Sequence, residues 1–252
     1  MTHENQFTPR AEEALRLAQE NPDRQIVFVG VGFETTTPLV AMAIKRARAM
    51  GLTNFTVYGA HKNMPGALEV IINDPALKLD ALILPGHVST IIGAEPYRFL
   101  AEKYGIPGVI TGFEPVDVLQ GIAMIMRQLH EGRAEIEIAY ARGVMPEGNP
   151  VALAAIDEVF ETCSATWRGL GEIPGSGYRI REEFADFDAM RRFQPDVEEV
   201  REHKGCRCGD VLRGIMAPSE CPLFRKVCTP ENPVGPCMVS SEGSCAAYYR
   251  YY

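Results

Sequence analysis

The sequence predicts an α/β protein with a mainly parallel sheet and flanking helices, followed by a small cysteine-rich domain. Short β-rich apolar runs alternate with amphipathic stretches between residues 25 and 163. Six of the seven cysteines lie in the last fifty residues. With 252 residues and 46% hydrophobic content, the chain is long and apolar enough to bury a substantial core.

Four apolar runs predict the strands of the sheet, over residues 25–31, 55–58, 81–84 and 108–111. They contain almost uninterrupted Val, Ile, Leu and Phe, which is typical of parallel strands buried on both faces. A turn and a helical pattern follow each run, as in repeated β-α units. The sheet is therefore expected to be mainly parallel.

Helix signals follow the strands. The first long helix is expected to begin at Thr36, Thr37 and Pro38 and to stop at Gly51. A second helix, over residues 116–129, is expected to pack on the sheet through an apolar face of Val116, Leu119, Ala123, Met126 and Leu129.

Beyond Cys163 the composition changes. Residues 167–177 are rich in glycine and proline and predict an ordered but irregular segment, unlike a helix or strand. A short helical stretch over 182–193 leads to the cysteines. The predicted organisation is an α/β domain at 1–165, an irregular and helical connection at 166–200, and a cysteine-rich region at 201–252.

Three polar residues, Glu34, His87 and Glu114, occupy turns between a predicted strand and the helix that follows it. Parallel strands place such turns at one edge of the sheet, where sites of open α/β folds usually form. The three side chains are therefore candidates for one shared rim. The alternative is that they cap helices. A dinucleotide fingerprint at Gly30–Thr35 is weak, since its third glycine is absent.

Charge and hydropathy argue against several classes of function, partner and location. The net charge of −8 and the isoelectric point near 5.3 argue against nucleic acid or an anionic membrane as the main partner. The longest apolar run, 81–93, is interrupted by Pro85, Gly86 and His87, and residues 1–14 carry no apolar leader segment. We therefore expect a cytoplasmic protein in which stable disulfides are disfavoured.

The cysteine-rich tail predicts metal or redox chemistry. Six, eight and seven residues separate Cys221, Cys228, Cys237 and Cys245, which is neither the paired spacing of zinc ribbons nor that of bacterial ferredoxins. Spacing alone leaves an iron–sulfur cluster, zinc and disulfides open. Upstream, Cys206 and Cys208 form a C-x-C pair that suits a redox dithiol, substitute ligands or two reduced thiols.

Longer motifs carry a family resemblance. They are Gly32-Phe33-Glu34-Thr35-Thr36-Thr37-Pro38, the run Pro85 to Gly93, Gly112-Phe113-Glu114-Pro115, the stretch Trp167 to Pro174, and Cys237-Met238-Val239-Ser240-Ser241-Glu242-Gly243 with the ending Ala246-Ala247-Tyr248-Tyr249. From about Glu13 to its C-terminus the chain resembles HypD, the maturation factor of [NiFe] hydrogenases.

This resemblance implies a [4Fe-4S] cluster held by Cys221, Cys228, Cys237 and Cys245. It also implies a scaffold formed with the small chaperone HypC, on which an iron atom acquires cyanide and carbon monoxide, with HypE supplying the cyanide. Four residues fall in family signature loops and become candidates for lining a cleft, through hydrogen bonding or proton handling: Glu34, His87, Glu114 and Glu242.

The sequence differs from the HypD pattern in one respect, its cysteine motifs. The family's Cys-Gly-Gly-His-Thr-His and Gly-Pro-Gly-Cys-Pro-Val-Cys motifs are absent, and no cysteine precedes Cys163. The sequence is therefore expected to represent the second and third domains of a HypD-like protein. It would hold the iron with its cyanide and carbon monoxide ligands only if the missing domain is supplied. A truncated sequence, a protein encoded in two pieces with a separate chain supplying that domain, and a misassigned start are the three explanations left open. An autonomous [4Fe-4S] electron carrier and an enzyme using the α/β rim remain alternatives, the enzyme being less favoured than a scaffold.

Overall fold

A computed structural model describes residues 10–77, 79–196 and 203–252. The chain forms two compact units. The first comprises Met1–Pro65, Leu79–Cys163 and Gly175–Pro195, and the second comprises Gly66–Lys78, Ser164–Pro174 and Asp196–Tyr252. The domain boundary predicted between residues 200 and 201 lies outside the described residues.

The first unit confirms the α/β prediction. Strands β1 (Ile26–Gly32) and β2 (Phe55–His61) form one parallel pair. Strands β3 (Leu82–Pro85), β4 (Gly108–Thr111) and β5 (Ile136–Ile138) form a second parallel sheet in that order. The four predicted strands are present, and the fifth was missed because three residues give too little pattern to recognise.

Helices connect these strands. They are α1 (Ala11–Glu20), α2 (Thr37–Ala49), α3 (Met64–Ile72), α4 (Gly86–Ile92), α5 (Arg98–Tyr104), α6 (Pro115–Glu131) and α7 (Pro150–Val159). Helix α2 begins after Thr36 with Pro38 in its first turn and ends at Gly51, whose φ is +64°, as predicted. Its buried face packs with α1, β2 and α7 in the core, around Ile44, Phe55 and Phe160.

Helix α6 packs by a face other than the predicted one. Val116, Leu119 and Met126 are 72%, 66% and 59% exposed. The buried residues are instead Asp117, Gly121, Ile125 and Gln128. Helix α6 therefore packs on the sheet, as predicted, but not through the apolar stripe.

The buried face of α6 has a steric and a polar cause. A Cβ atom on Gly121 would lie 2.2 Å from Thr111 Cγ2, so glycine permits the close approach of α6 to β4. Gln128 Oε1 accepts a hydrogen bond from the Glu135 amide at 2.9 Å. Asp117 receives two 2.6 Å hydrogen bonds from Arg142. Polar groups with partners outside the helix can thus occupy positions that a hydrophobicity pattern assigns to solvent, although Gln128 Nε2 has no hydrogen-bond partner among the described residues.

Two substitutions on α6 test this orientation. We expect Leu119→Lys to change the free energy of unfolding by no more than about 0.5 kcal/mol, since its side chain is exposed. Ile125→Ala, on the buried face, is expected to cost about 2 to 4 kcal/mol. Urea unfolding of the two variants measures both values, and a larger loss for Leu119→Lys would contradict the observed packing.

A two-stranded hairpin replaces the predicted irregular segment. Strand β6 (Phe160–Trp167) pairs with β7 (Gly171–Ile180), and the three-residue connection makes them antiparallel. The prediction that residues 167–177 are neither helix nor strand is wrong. The backbone of β7 is held by partners remote in sequence, including hydrogen bonds from the Asn63 backbone amide to Ser176 O and from the Asn63 side chain to Gly175 O.

The helical stretch predicted over 182–193 is present as two short pieces. A 3-10 helix covers Glu182–Phe187, and α8 covers Ala189–Phe193. Asp188 separates them, and its carboxylate accepts the amide hydrogen bond of Met190 at 2.9 Å.

Across the described ranges, no helix has the length and apolar character needed to cross a membrane.

The second unit contains little regular structure. Besides most of α3, its described part contains α9 (Cys208–Leu212), a 3-10 turn (Pro218–Glu220), α10 (Pro236–Val239) and α11 (Ser244–Tyr251). Arg213 pairs with both Asp74 and Asp210, which ties segments distant in sequence within this unit. Because this unit has so few helices and strands, its stability depends on the residues that fill its interior.

Candidate metal centre

Cysteine thiols form the interior of the second unit. Five of them are buried, each 9% exposed or less, and Cys206 packs against the same group. The five are Cys208, Cys221, Cys228, Cys237 and Cys245. Phe224, Met238 and Ala246 complete this core. The four predicted ligands and the C-x-C pair are therefore brought together.

Short turns position the thiols. Cys237 and Cys245 each occupy the second residue of a helix, α10 and α11. The Val234 amide lies 3.4 Å from Cys228 Sγ, in the loop before α10. Pro236 at the first position of α10 fixes the entry of that helix.

Two glycines allow this crowding. A Cβ atom on Gly235 would lie 2.5 Å from Cys206 Sγ. One on Gly243 would lie 2.3 Å from the Cys237 carbonyl oxygen. Both glycines belong to the cysteine-rich stretch, so local sequence supports the thiol arrangement sterically.

The thiols interact with one another. Cys237 and Cys245 are hydrogen bonded with their sulfurs 3.0 Å apart, well beyond the roughly 2.05 Å of a disulfide bond. All seven cysteines carry free thiols. Cys208 is also hydrogen bonded to Cys237. The five buried cysteines therefore belong to one packed cluster, and Cys206 packs against it.

Two of these thiols, Cys237 and Cys206, have a raised pKa. The hydrogen bond of Cys208 to Cys237 lowers the Cys237 pKa, but the hydrogen bond to Cys245 and burial act in the opposite direction and raise it to about 12. Burial likewise raises the pKa of Cys206. A soft metal would displace these protons, because thiolate is the ligand form.

The donor set fits a thiolate-bound metal or iron–sulfur cluster. Several buried thiols with few charged neighbours are the ligand chemistry that such groups use. Within the described ranges, however, no three His, Cys, Asp or Glu side chains are already arranged around one metal position. Cys237 and Cys245 are in direct contact, so binding to separate irons requires their sulfurs to move apart.

The C-x-C pair lies beside a small cavity. Its lining includes Arg168, His203, Cys206 and Cys208. Cys206 is partly exposed, whereas Cys208 is buried. One thiol of the pair can therefore meet an incoming reactant while the other contacts the cysteine core.

The predicted rim residues separate into two environments. His87 and Glu114 are exposed and follow the paired strands β3 and β4, and the His87 ring lies 4.1 Å from the Phe113 ring. Glu114 Oε2 lies 3.4 Å from Arg142.

Glu34, after β1, is only 1% exposed. In the second unit Glu242 is exposed, and its amide donates to Ser240 Oγ.

Glu34 and His61 are both buried polar residues, and the sequence analysis identified only Glu34. Its Oε1 accepts the Met64 amide at 2.9 Å, and burial raises its pKa. His61, at the end of β2, is 2% exposed and packs edge-on against Phe160. No hydrogen-bond partner for either His61 ring nitrogen occurs among the described residues. The sole sequence signal was a histidine at the end of an apolar strand.

His61 predicts a pH-dependent stability. Burial lowers its folded-state pKa to about 4, below the ordinary value near 6.5. Between these values the unfolded chain binds a proton that the folded chain excludes. Stability therefore falls as pH drops from about 6.5 to 4, by up to about 3 kcal/mol. The raised pKa of Glu34 acts oppositely, favouring the folded state at low pH.

Urea unfolding across this pH range checks the effect of His61. We expect His61→Leu to flatten the pH dependence, whereas His130→Gln on exposed α6 leaves it unchanged. Equal slopes for His61→Leu and the parent chain would show that the buried imidazole is not the titrating group.

Another cavity lies elsewhere in the first unit. Its lining includes Arg48, Leu52, Phe187, Arg191 and Arg192. It contains none of the rim candidates. The enzyme alternative, which depends on a substrate-sized pocket at the rim, gains no support from this cavity.

The two units define the class as an α/β protein with a loop-rich, cysteine-rich domain, whose thiols are compatible with metal or iron–sulfur binding. The profile of the hydrogenase formation hypA family, HypD, matches residues 6–252. The chain therefore belongs to the HypD family.

Curated relatives agree with the family match. The hydrogenase expression/formation protein HupD of Azotobacter chroococcum is 50% identical over 245 residues. HypD maturation factors of Cupriavidus necator and Rhodobacter capsulatus are 48% and 50% identical over 248 and 244 residues. The matches cover 95%, 96% and 95% of this chain and 65% of each relative. The chain thus spans just under two thirds of these relatives.

Proposed function

We propose that this chain is a scaffold and redox component of [NiFe]-hydrogenase maturation, holding a [4Fe-4S] cluster through Cys221, Cys228, Cys237 and Cys245. The observation that carries the proposal is the gathering of these four thiols into one buried core. Family membership supports an iron–sulfur cluster over zinc. A bound cluster would supply one-electron chemistry.

The protein residues have three tasks in this proposal. The four cysteines give up their protons and hold the cluster, while Phe224 and Met238 exclude water from it. Cys206 and Cys208 form the adjacent dithiol, with Cys206 accessible. Oxidation of the dithiol to a disulfide would release two electrons and two protons. Because a [4Fe-4S] cluster carries one electron at a time, the two electrons would pass through it in succession to an external one-electron acceptor, and the protons would go to solvent.

The proposed partners are a HypC-like chaperone and a HypE-like cyanide donor. The iron that receives cyanide and carbon monoxide would take its thiol ligands from outside the first unit, which has one cysteine, Cys163. Exposed His87 and Glu114 are candidates for partner contact or proton handling, and Glu242 is a candidate beside the cysteine core. Glu34, being buried, suits hydrogen bonding within the fold. We place this work in the cytoplasm, without nucleic acid or membrane.

An autonomous electron carrier is the second candidate. All six clustered thiols belong to the second unit, so cluster binding needs no ligand from the first. A carrier requires a reversible one-electron couple and no chaperone.

Anaerobic gel filtration distinguishes these functions. The scaffold proposal predicts that the cluster-loaded chain co-elutes with a HypC-type chaperone. A matched His87→Ala, Glu114→Ala double variant should bind it more weakly, whereas Glu135→Ala, also exposed, should bind normally. Reversible reduction with no chaperone complex, either alone or with the additional portion of a relative present, would support the carrier.

A further inference from the structure

An aromatic layer covers one side of the cysteine core in the second unit. Phe224 lies in the loop between Cys221 and Cys228, is 8% exposed and belongs to the core. Its ring meets the rings of Tyr248 and Tyr249 edge-on, each at a centroid distance of 5.9 Å. Both tyrosines are half-buried and pack against the core. These three rings, the aromatic layer, therefore connect the cysteine core with the protein surface.

Three cationic side chains accompany the aromatic layer. The Arg225 guanidinium lies 5.5 Å from the Phe224 ring centroid and 5.2 Å from that of Tyr249, and it donates a 3.0 Å hydrogen bond to Tyr249 O. Lys226 and Arg250 are the next residues along the two segments that this hydrogen bond joins. All three cationic residues are exposed. Together they form a basic patch beside the aromatic layer.

The backbone of Arg225 adopts an unfavourable conformation. Its φ is +57°, in the left-handed region that favours glycine. Such strain persists where the surrounding contacts fix the conformation, and it is concentrated at functional sites. The hydrogen bond and the two ring contacts of the Arg225 side chain are contacts of this kind. Because glycine would suit the backbone better, an arginine at this position points to a role for its side chain.

The basic patch contrasts with the charge of the chain as a whole. Residues 203–252 contain six Lys and Arg against four Asp and Glu, whereas the whole chain has a net charge of −8. Within that segment Asp210 is paired with Arg207 and Arg213. Among the described residues, no ion pair involves a member of the basic patch. Unpaired cations on an otherwise acidic protein attract a partner whose contact surface is acidic.

We propose that the basic patch and the aromatic layer form the docking surface for an acidic one-electron carrier protein. This carrier would be the external acceptor of the proposed function, on which the inference rests. The surface includes the loop between Cys221 and Cys228, two of the four proposed ligands, so a docked carrier would lie close to the cluster. Each transfer moves one electron, so that the cluster is oxidised and the carrier is reduced. Two such transfers account for the two electrons released when Cys206 and Cys208 form a disulfide.

Calorimetric titration with an acidic [2Fe-2S] ferredoxin tests the proposal. The chain is reconstituted anaerobically, its iron and sulfide are quantified, and both proteins are kept oxidised so that binding is measured without electron transfer. We expect a complex whose dissociation constant rises by about 10-fold or more between about 50 and about 500 mM salt, because the contact is electrostatic.

The test variant reverses two charges of the basic patch. Lys226→Glu combined with Arg250→Glu should weaken ferredoxin binding by about 10-fold or more and leave the iron content unchanged, since both side chains are exposed. The matched control, Lys103→Glu combined with Arg127→Glu, reverses two exposed charges of the first unit and should change binding by no more than about 2-fold.

A second variant removes the third cation without disturbing the backbone. Arg225→Gly suits a φ of +57°, so we expect normal iron content together with binding weakened by about 5-fold. This variant keeps the proposal falsifiable if the double charge reversal does not fold.

The outcomes separate this proposal from the proposed function. Full iron content without ferredoxin binding, or equal binding by the patch variants and the parent chain, overturns the docking surface and leaves cluster binding intact. A chain that binds no iron contradicts both. Tighter binding of a basic cytochrome c, or equal binding of parvalbumin, an acidic protein without a redox centre, overturns the proposed partner. Binding of duplex DNA that the patch variants abolish would assign the surface to nucleic acid instead.

Discussion

Replacing Cys237 by serine is expected to lower bound iron from about four to less than one per chain after anaerobic reconstitution. Cys237 is 5% exposed and contacts Cys245 in the thiol core. A hydroxyl is a harder and less acidic ligand than a thiol, so the site loses one of its four soft donors. Iron quantification and the visible absorption of the reconstituted protein measure the effect.

Cys163→Ser is the matched control for this experiment. Cys163 is partly buried in the first unit and is not a member of the thiol core. Its replacement should leave the iron content unchanged. Equal iron in Cys237→Ser and the parent chain would exclude Cys237 as a ligand. Cys206→Ser and Cys208→Ser, tested alongside, show whether the C-x-C pair contributes ligands.

Gly86→Ala is expected to destabilise the first unit by about 3 kcal/mol or more. An added Cβ atom would lie 2.2 Å from the Thr111 carbonyl oxygen, which belongs to strand β4. Because a strand backbone cannot move freely, α4 must shift away from the sheet. That shift would also separate His87 from Phe113, whose rings now lie 4.1 Å apart.

The control for this substitution is Gly59→Ala. A Cβ atom added to Gly59 would meet no heavy atom within 4 Å, and the φ of this residue is outside the left-handed region. We expect an effect of no more than about 0.5 kcal/mol. Thermal or urea unfolding ranks the two variants. A Gly86→Ala variant as stable as Gly59→Ala would show that α4 and β4 are less closely packed than the structure indicates.

Sequence patterns located the elements whose signals are local. Helix α2 was predicted from Thr36, Pro38 and Gly51 because caps and breakers act within one turn. The packing face of α6 was mispredicted, since Asp117 and Gln128 become buried through partners at Arg142 and Glu135. Such partners lie outside the helix and leave no periodic signal.

For the candidate site too, sequence patterns identified features with a local signal and missed those that depend on tertiary contacts. The cysteines were identified from their concentration in the tail, yet their wide spacing did not predict that five of them would form one packed cluster. Glu34 was identified but expected at an open rim, whereas it is buried against the Met64 amide. His61 was missed because its importance arises from burial, which its local sequence does not encode.

The central claim is that the cysteine core holds a [4Fe-4S] cluster. Anaerobic purification or reconstitution, followed by iron, sulfide and zinc quantification and an EPR spectrum of the reduced protein, tests it most directly. The account predicts about four irons and four sulfides per chain, with a signal of a one-electron-reduced cluster. One zinc per chain without sulfide would contradict it.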